Sequence, residues 1–172
     1  MAEAKRDGFK VNNYLENMQK ITPFIWFEKG AKEAADFYMS VFGGDAHIVS
    51  SNIMTGTPSG TVEIISVSLG GTTFTLMAAG PFHKVNSAIS FVINCETQNE
   101  VDHFWEKLSA VPEAERCGWL TDKYGVTWQV VPTMLPSLLG GPDKEKAGRA
   151  TAAMMKMKKL DITVLQKAYD GV

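Results

Sequence analysis

Few side chains in this sequence combine a reactive or polar group with an apolar setting. The run Val126–Val131 carries one carboxamide, Gln129, among apolar neighbours. Strand alternation puts Val126, Trp128 and Val130 on one face and Thr127, Gln129 and Val131 on the other. An amide there either exchanges hydrogen bonds with a polar ligand or water, or is a core glutamine satisfied by neighbouring backbone. Glu63 is the one acid inside the apolar run TVEIISV. It is a general base if its surroundings raise its pKa, and otherwise a strand-end carboxylate in water. His83, in the loop GPFHKVN, is an acid–base group at a pocket rim or a solvated loop histidine. Glu63 and His83 are the only candidates for catalysis. Cys117 is a reactive thiol if it faces a pocket, and an inert, half-buried cysteine if no basic neighbour lowers its pKa. Phe24 and Trp26 share a strand face and offer aromatic walls to a flat ligand, or pack under helices. Trp119 joins Phe24, Trp26, Cys117 and Gln129 as a ligand-binding candidate. His103, beside Asp102 and Glu106, reads as part of an exposed helix face.

The elements that must position these residues follow from periodicity. ITPFIWF, from Ile21, is an apolar, aromatic-rich run of strand length. In GAKEAADFYMSVFGG, Ala34, Ala35, Tyr38, Val41 and Phe42 recur at helical spacing, and Gly43-Gly44 stops the helix. AHIVSSNI and TVEIISVSLG are β-rich, and LGGTTFTLMA is a tight hairpin through Gly70-Gly71. After Gly80-Pro81 the order begins again. SAISFVIN is a strand. TQNEVDHFWEKLSA is a helix whose Thr97 and Glu100 form a capping box, with a core stripe of Val101, Phe104, Trp105 and Leu108. Two or three short strands then cover 115–131. The pattern predicts an α+β fold of duplicated βαβββ units: a polar arm over 1–19, one module over 20–81, a second over 82–132, and a helical tail over 133–172. The tail's stripe of Ala147, Ala150, Met154 and Met157 must pack on its own sheet or on a partner chain.

Composition narrows the function classes. The chain has 172 residues, enough for one core, and a formal net charge of −2. No basic patch interleaved with aromatics argues for nucleic acid. No apolar run approaches the roughly 20 residues of a membrane span, and the N-terminus has no apolar signal core. The two cysteines, Cys95 and Cys117, read as reduced thiols of a cytoplasmic protein.

ITPFIWF with AKEAADFYMSVF, NSAISFVINCETQNEVDHFWEKL, CGWLTDKYGVTWQVVPTMLPSLL and AAMMKMKKLDI resemble the PhnB-like branch of the vicinal oxygen chelate (glyoxalase/bleomycin-resistance) superfamily. Many members of that branch carry the label 3-demethylubiquinone-9 3-methyltransferase. The resemblance runs from about Lys20 to the C-terminus and implies paired βαβββ modules curling into a cup. It also implies a divalent metal held by His, Gln or Glu from the first and last strands of each module. Transferred to this chain, those positions fall at Thr22 or Pro23, at Ala88 or Ser90, in TLMAAG, which has no acid, and at Gln129. One neutral carbonyl oxygen cannot hold a metal alone, so the expectation is a site with no metal and no cofactor. The methyltransferase label requires a Gly-rich loop between a strand and a following helix, and no glycine pair here has that context. Two function classes follow. One is a binding protein that holds a polar or aromatic small molecule in the cup. The other is an enzyme of the same fold, whether by methyl transfer to a quinone precursor or by metal-dependent glyoxalase or dioxygenase chemistry. The superfamily's habit of pairing modules within or between chains, with the open apolar sheets and the tail's stripe, leads to the expectation of a homodimer.

Overall fold

A computed structural model of the chain describes residues 19–172, so the arm expected over 1–19 lies outside the described residues except for Gln19. The first unit runs β1 (Phe24–Phe27), α1 (Ala31–Phe42), β2 (Ala46–Thr57), β3 (Gly60–Leu69) and β4 (Thr72–Ala78). Its sheet has the order β1-β4-β3-β2, with β1 parallel to β4 and the other pairs antiparallel. The β3–β4 hairpin turns at Gly70 (φ 53°) and Gly71 (φ 80°). Two successive positive φ angles match the twist of the flanking strands, and glycine adopts them without a Cβ penalty. Ile25, Phe27, Ile65, Val67, Phe74 and Leu76 point to the helix side and are buried against Ala34, Ala35, Tyr38 and Val41 of α1.

The second unit runs β5 (Phe91–Cys95), α2 (Gln98–Leu108), β6 (Trp119–Thr121) and β7 (Thr127–Pro132). The capping box at the start of α2 is formed, with the Glu100 amide donating to Thr97 Oγ1 at 3.2 Å and the Thr97 amide donating to Glu100 Oε2 at 3.0 Å. Backbone amides of Thr97 and Glu96 hold the exposed Glu100 carboxyl below the usual carboxylate range. The sheet order is β5-β7-β6, so the second unit is βαββ, one strand short of the expected βαβββ. The reason lies at Cys117 (φ 48°) and Gly118 (φ 87°), where two left-handed residues turn the chain. Their amides donate to the carbonyls of Met157 and Lys158, both at 2.8 Å, so the tail takes these backbone groups. A Cβ at Gly118 would lie 2.9 Å from the Val130 carbonyl oxygen, which only glycine tolerates.

The tail comprises α3 (Leu135–Gly140), α4 (Lys144–Met154) and α5 (Ile162–Asp170). It folds back on its own chain. Leu135, Leu138, Ala150, Leu160 and Leu165 form a second core against Val131, with Met154 and Met157 at its margin. The side chain of Gln98 clamps the link, donating to the Leu160 carbonyl at 3.2 Å and accepting from the Ile162 amide at 2.9 Å. Of the two places open to the tail's stripe, its own chain or a partner, the fold uses the first: Ala147 and Ala150 are buried, and both methionines pack on the tail core.

Both sheet units share one core. Trp128 of β7 lies 5.6 Å from the Tyr38 ring and 6.2 Å from Phe74, and Phe74 stands edge-on to Phe91 at 4.9 Å. Fully burying a side chain of this size contributes roughly 1.5–3 kcal/mol. At the centre is Asp122, 1% exposed. Its Oδ2 accepts from Tyr38 Oη and Trp128 Nε1, both at 2.8 Å, and its Oδ1 accepts from the amides of Tyr124 (2.8 Å) and Val126 (3.0 Å). Burial pushes the Asp122 carboxyl up from its ordinary value, against the four hydrogen bonds that favour the anion. Burial and the adjacent Asp122 push the Tyr38 phenol far up, so it remains a donor.

Removing one donor leaves part of a buried carboxylate unsatisfied, so Tyr38→Phe should cost about 1–3 kcal/mol in denaturant unfolding. Asp122→Asn should cost a similar amount, since its NH₂ would face the donor Nε1–H of Trp128. A folded-state pKa above the unfolded one means stability from this group is complete below the unfolded value and lost as pH rises through the folded value. The deficit of Asp122→Asn relative to the wild type should therefore be smallest at neutral pH and widen on acidification. Equal stability of all three proteins would contradict the assignment.

Candidate functional site

Because α1 and α2 cover one face of each sheet, the opposite faces are open, and the candidate residues divide between them. On the first sheet, β1 alternation sends Ile25 and Phe27 to the core and Phe24 and Trp26 to the open face, where Thr75 and Met77 of β4 sit beside them in register. Trp26 Nε1 donates to the Gly80 carbonyl at 2.9 Å, and its ring meets His83 edge-on at 4.9 Å and 87°. The linker after β4 is thereby folded against the open face. On one side of this pair lies a cavity of 630 Å³ lined by Trp26, Met54, Val62, Met77, Phe82 and His83 among others. On the other side a smaller one, of 200 Å³, is walled by Phe24, Trp26, His83, Ile89 and Phe91 where β1 approaches β5.

Glu63 is not part of this group. It pairs with Ile53 on the face that Ile65 and Val67 share, toward α1, and its Oε1 accepts from Ser51 Oγ at 3.0 Å. Its charge acts on Lys32 of that helix. The two catalytic candidates, Glu63 and His83, therefore lie on opposite faces of one sheet and form no acid–base pair. No carboxylate lines the cavity beside His83. His103 lies on the exposed face of α2 expected from the sequence, and from there donates from Nε2 to the Val41 carbonyl at 2.8 Å, tying α2 to α1.

The other three candidates belong to the second sheet. Trp119 pairs with Gln129 across β6 and β7, on the face away from α2. Gln129 Nε2 donates to Ser90 Oγ at 2.8 Å, so a neighbouring side chain already engages this amide. Cys117 lies beside the Met155 thioether, with Sγ 3.9 Å from Sδ. Cys117 and Trp119 line a separate cavity of 570 Å³ that includes Arg116, Thr127 and Met154. Arg116 precedes Cys117 directly and shares this cavity. Cys95, by contrast, is buried, and burial pushes its thiol up to about 12.

Sequence reasoning missed Met54, Val62, Met77 and Phe82 in the first cavity and Arg116 and Met154 in the second. Met77 was accessible by period two from Thr75. The rest are brought in by hairpin, linker and tail contacts that no local pattern encodes.

The donor set does not suit the groups that the fold's relatives suggest. The positions corresponding to a metal site hold Thr22, Pro23, Ser90 and Gln129, which supply neutral oxygens at most, and divalent first-row metals require several anionic or imidazole donors. Among the described residues no three His, Cys, Asp or Glu side chains converge. For S-adenosylmethionine, the β1–α1 link is Glu28-Lys29-Gly30, with a single glycine, and the sheet is mixed rather than doubly wound. No step is routed through either group.

Comparison with known proteins identifies the family. A family model described as 3-demethylubiquinone-9 3-methyltransferase matches residues 19–131. A solved Bacillus cereus protein, titled a putative 3-demethylubiquinone-9 3-methyltransferase, PhnB protein, is 31% identical, with 67% of this chain and all of that chain covered at a TM-score of 0.55. A Pseudomonas aeruginosa structure is 20% identical over 67% of this chain and 98% of its own, TM-score 0.49. The fosfomycin resistance protein FosX from Mesorhizobium loti is 14% identical over 66% and 91%, TM-score 0.45. No curated protein matches the chain. The chain belongs to the PhnB-type, 3-demethylubiquinone-9 3-methyltransferase-like family.

Proposed function

We propose that this protein binds an apolar or aromatic small molecule against the Trp26 wall of the first sheet, without a bound metal. The observation that carries this reading is the 630 Å³ cavity bounded by Trp26, Met54, Val62, Met77 and Phe82, with His83 at its edge and no carboxylate. Its volume falls in the range that encloses a small organic ligand. The indole is held in place by its bond to Gly80, so the aromatic wall is preorganised. His83 can exchange one hydrogen bond with a polar substituent. An enzymatic reading, methyl transfer included, draws on the family description. It lacks support from the lining of this cavity, which carries no carboxylate and no cofactor loop. Pairing of two chains into a homodimer would cover Phe24, Ile89 and Val92, which are 55%, 69% and 50% exposed.

Neutral 2-naphthalenemethanol, titrated by calorimetry, should bind the wild-type chain, and Trp26→Leu should weaken it about tenfold while preserving the unfolding midpoint within a few degrees. Unchanged affinity in Trp26→Leu would remove the ligand from this wall. S-adenosylmethionine, titrated the same way, should give no isotherm at micromolar concentration. A clear isotherm would favour the methyltransferase reading.

A further inference from the structure

We propose that the 570 Å³ cavity between the open face of the second sheet and the end of α4 binds a small organic anion with a flat apolar body, of the aryl carboxylate class. This site is separate from the Trp26 cavity and does not depend on its assignment. Three features of the lining define the ligand.

The first is charge. Arg116 lines the cavity, and its guanidinium has no ion-pair or hydrogen-bond partner among the described residues. No carboxylate lines the cavity. The neighbouring Glu115 is committed elsewhere, accepting from Ser109 Oγ at 2.6 Å and from Lys158 Nζ at 3.0 Å. An anion therefore meets an uncompensated cation and no opposing charge. Guanidinium geometry suits a carboxylate, which accepts two parallel N–H bonds from it.

The second feature is a pair of hydroxyl-bearing side chains on the wall. Thr127, on β7, lines the cavity and offers its hydroxyl to a ligand oxygen. Thr121 stands opposite it in the β6–β7 register and supplies a second hydroxyl on the same face.

The third is shape and softness. Trp119 supplies an aromatic surface, and the thioethers of Met154 and Met155 close the far side, adaptable surfaces that suit a flat apolar group. Both methionines come from the tail, outside the residues 19–131 that the family model matches. The tail is held here by the hydrogen bonds of Cys117 and Gly118 to Met157 and Lys158.

The test is calorimetry of the full chain with 2-naphthoate and its neutral counterpart 2-naphthalenemethanol. The wild type should bind naphthoate, more weakly as salt is raised. Arg116→Gln, at a side chain with no hydrogen bond or ion pair among the described residues, should weaken naphthoate about tenfold and leave the alcohol unaffected, while Arg116→Lys should lose less. Trp26→Leu should leave naphthoate affinity unchanged, which separates this site from the one proposed above. Absence of naphthoate binding to the wild type at millimolar concentration, affinity indifferent to salt and to Arg116→Gln, or loss of naphthoate with Trp26→Leu would each overturn the proposal.

Discussion

A buried carboxylate with four donors organises this molecule. Asp122 sits in the turn between the last two strands, yet one of its donors, Tyr38, comes from the first helix. A carboxylate so fully withdrawn from water is tolerable only when its lone pairs are taken, and here both oxygens accept two hydrogen bonds each. The arrangement fixes where the second sheet lies against the first helix. It also holds Trp128 over Phe74 and Phe91, so that β5 comes beside β1. Buried charge of this kind is weak evidence for net stability, because an apolar replacement can serve as well, but it specifies one docking of the two units.

That docking has a direct consequence for the site. With both helices turned into the shared core, the polar and aromatic residues of alternate strand positions are left on open faces. Trp26 with His83 and Trp119 with Gln129 belong to different sheets and line or adjoin different cavities. Where relatives in the superfamily would concentrate metal ligands, this chain presents serine, threonine and an amide already bonded to Ser90. Such groups recognise ligands by hydrogen bonding and shape, and they lack the charge to activate water or polarise a substrate.

Much of the local structure was legible in the sequence, because each signal acts over a few residues. The Gly70-Gly71 turn and the Thr97–Glu100 capping box both formed as their residue types require. The central link was not legible. Asp122 in TDKYG reads as an ordinary turn acid, and its partner lies 84 residues away. The missing strand of the second unit was equally hidden, since a left-handed Cys117 is an unusual conformation for a residue with a side chain, stabilised by a tail far along the chain. Phe24 and Trp26 were readable by alternation. Arg116 and Met154 were not, because only the folded tail places them together.

The most direct test of a metal-free binding site is the metal content of the purified chain by plasma mass spectrometry. The chain would first be incubated with zinc, nickel and manganese and then exhaustively dialysed. The expected result is far less than one equivalent of any of them, since Thr22, Ser90 and Gln129 offer only neutral oxygens. One equivalent retained by the wild type and lost in Gln129→Ala would contradict it.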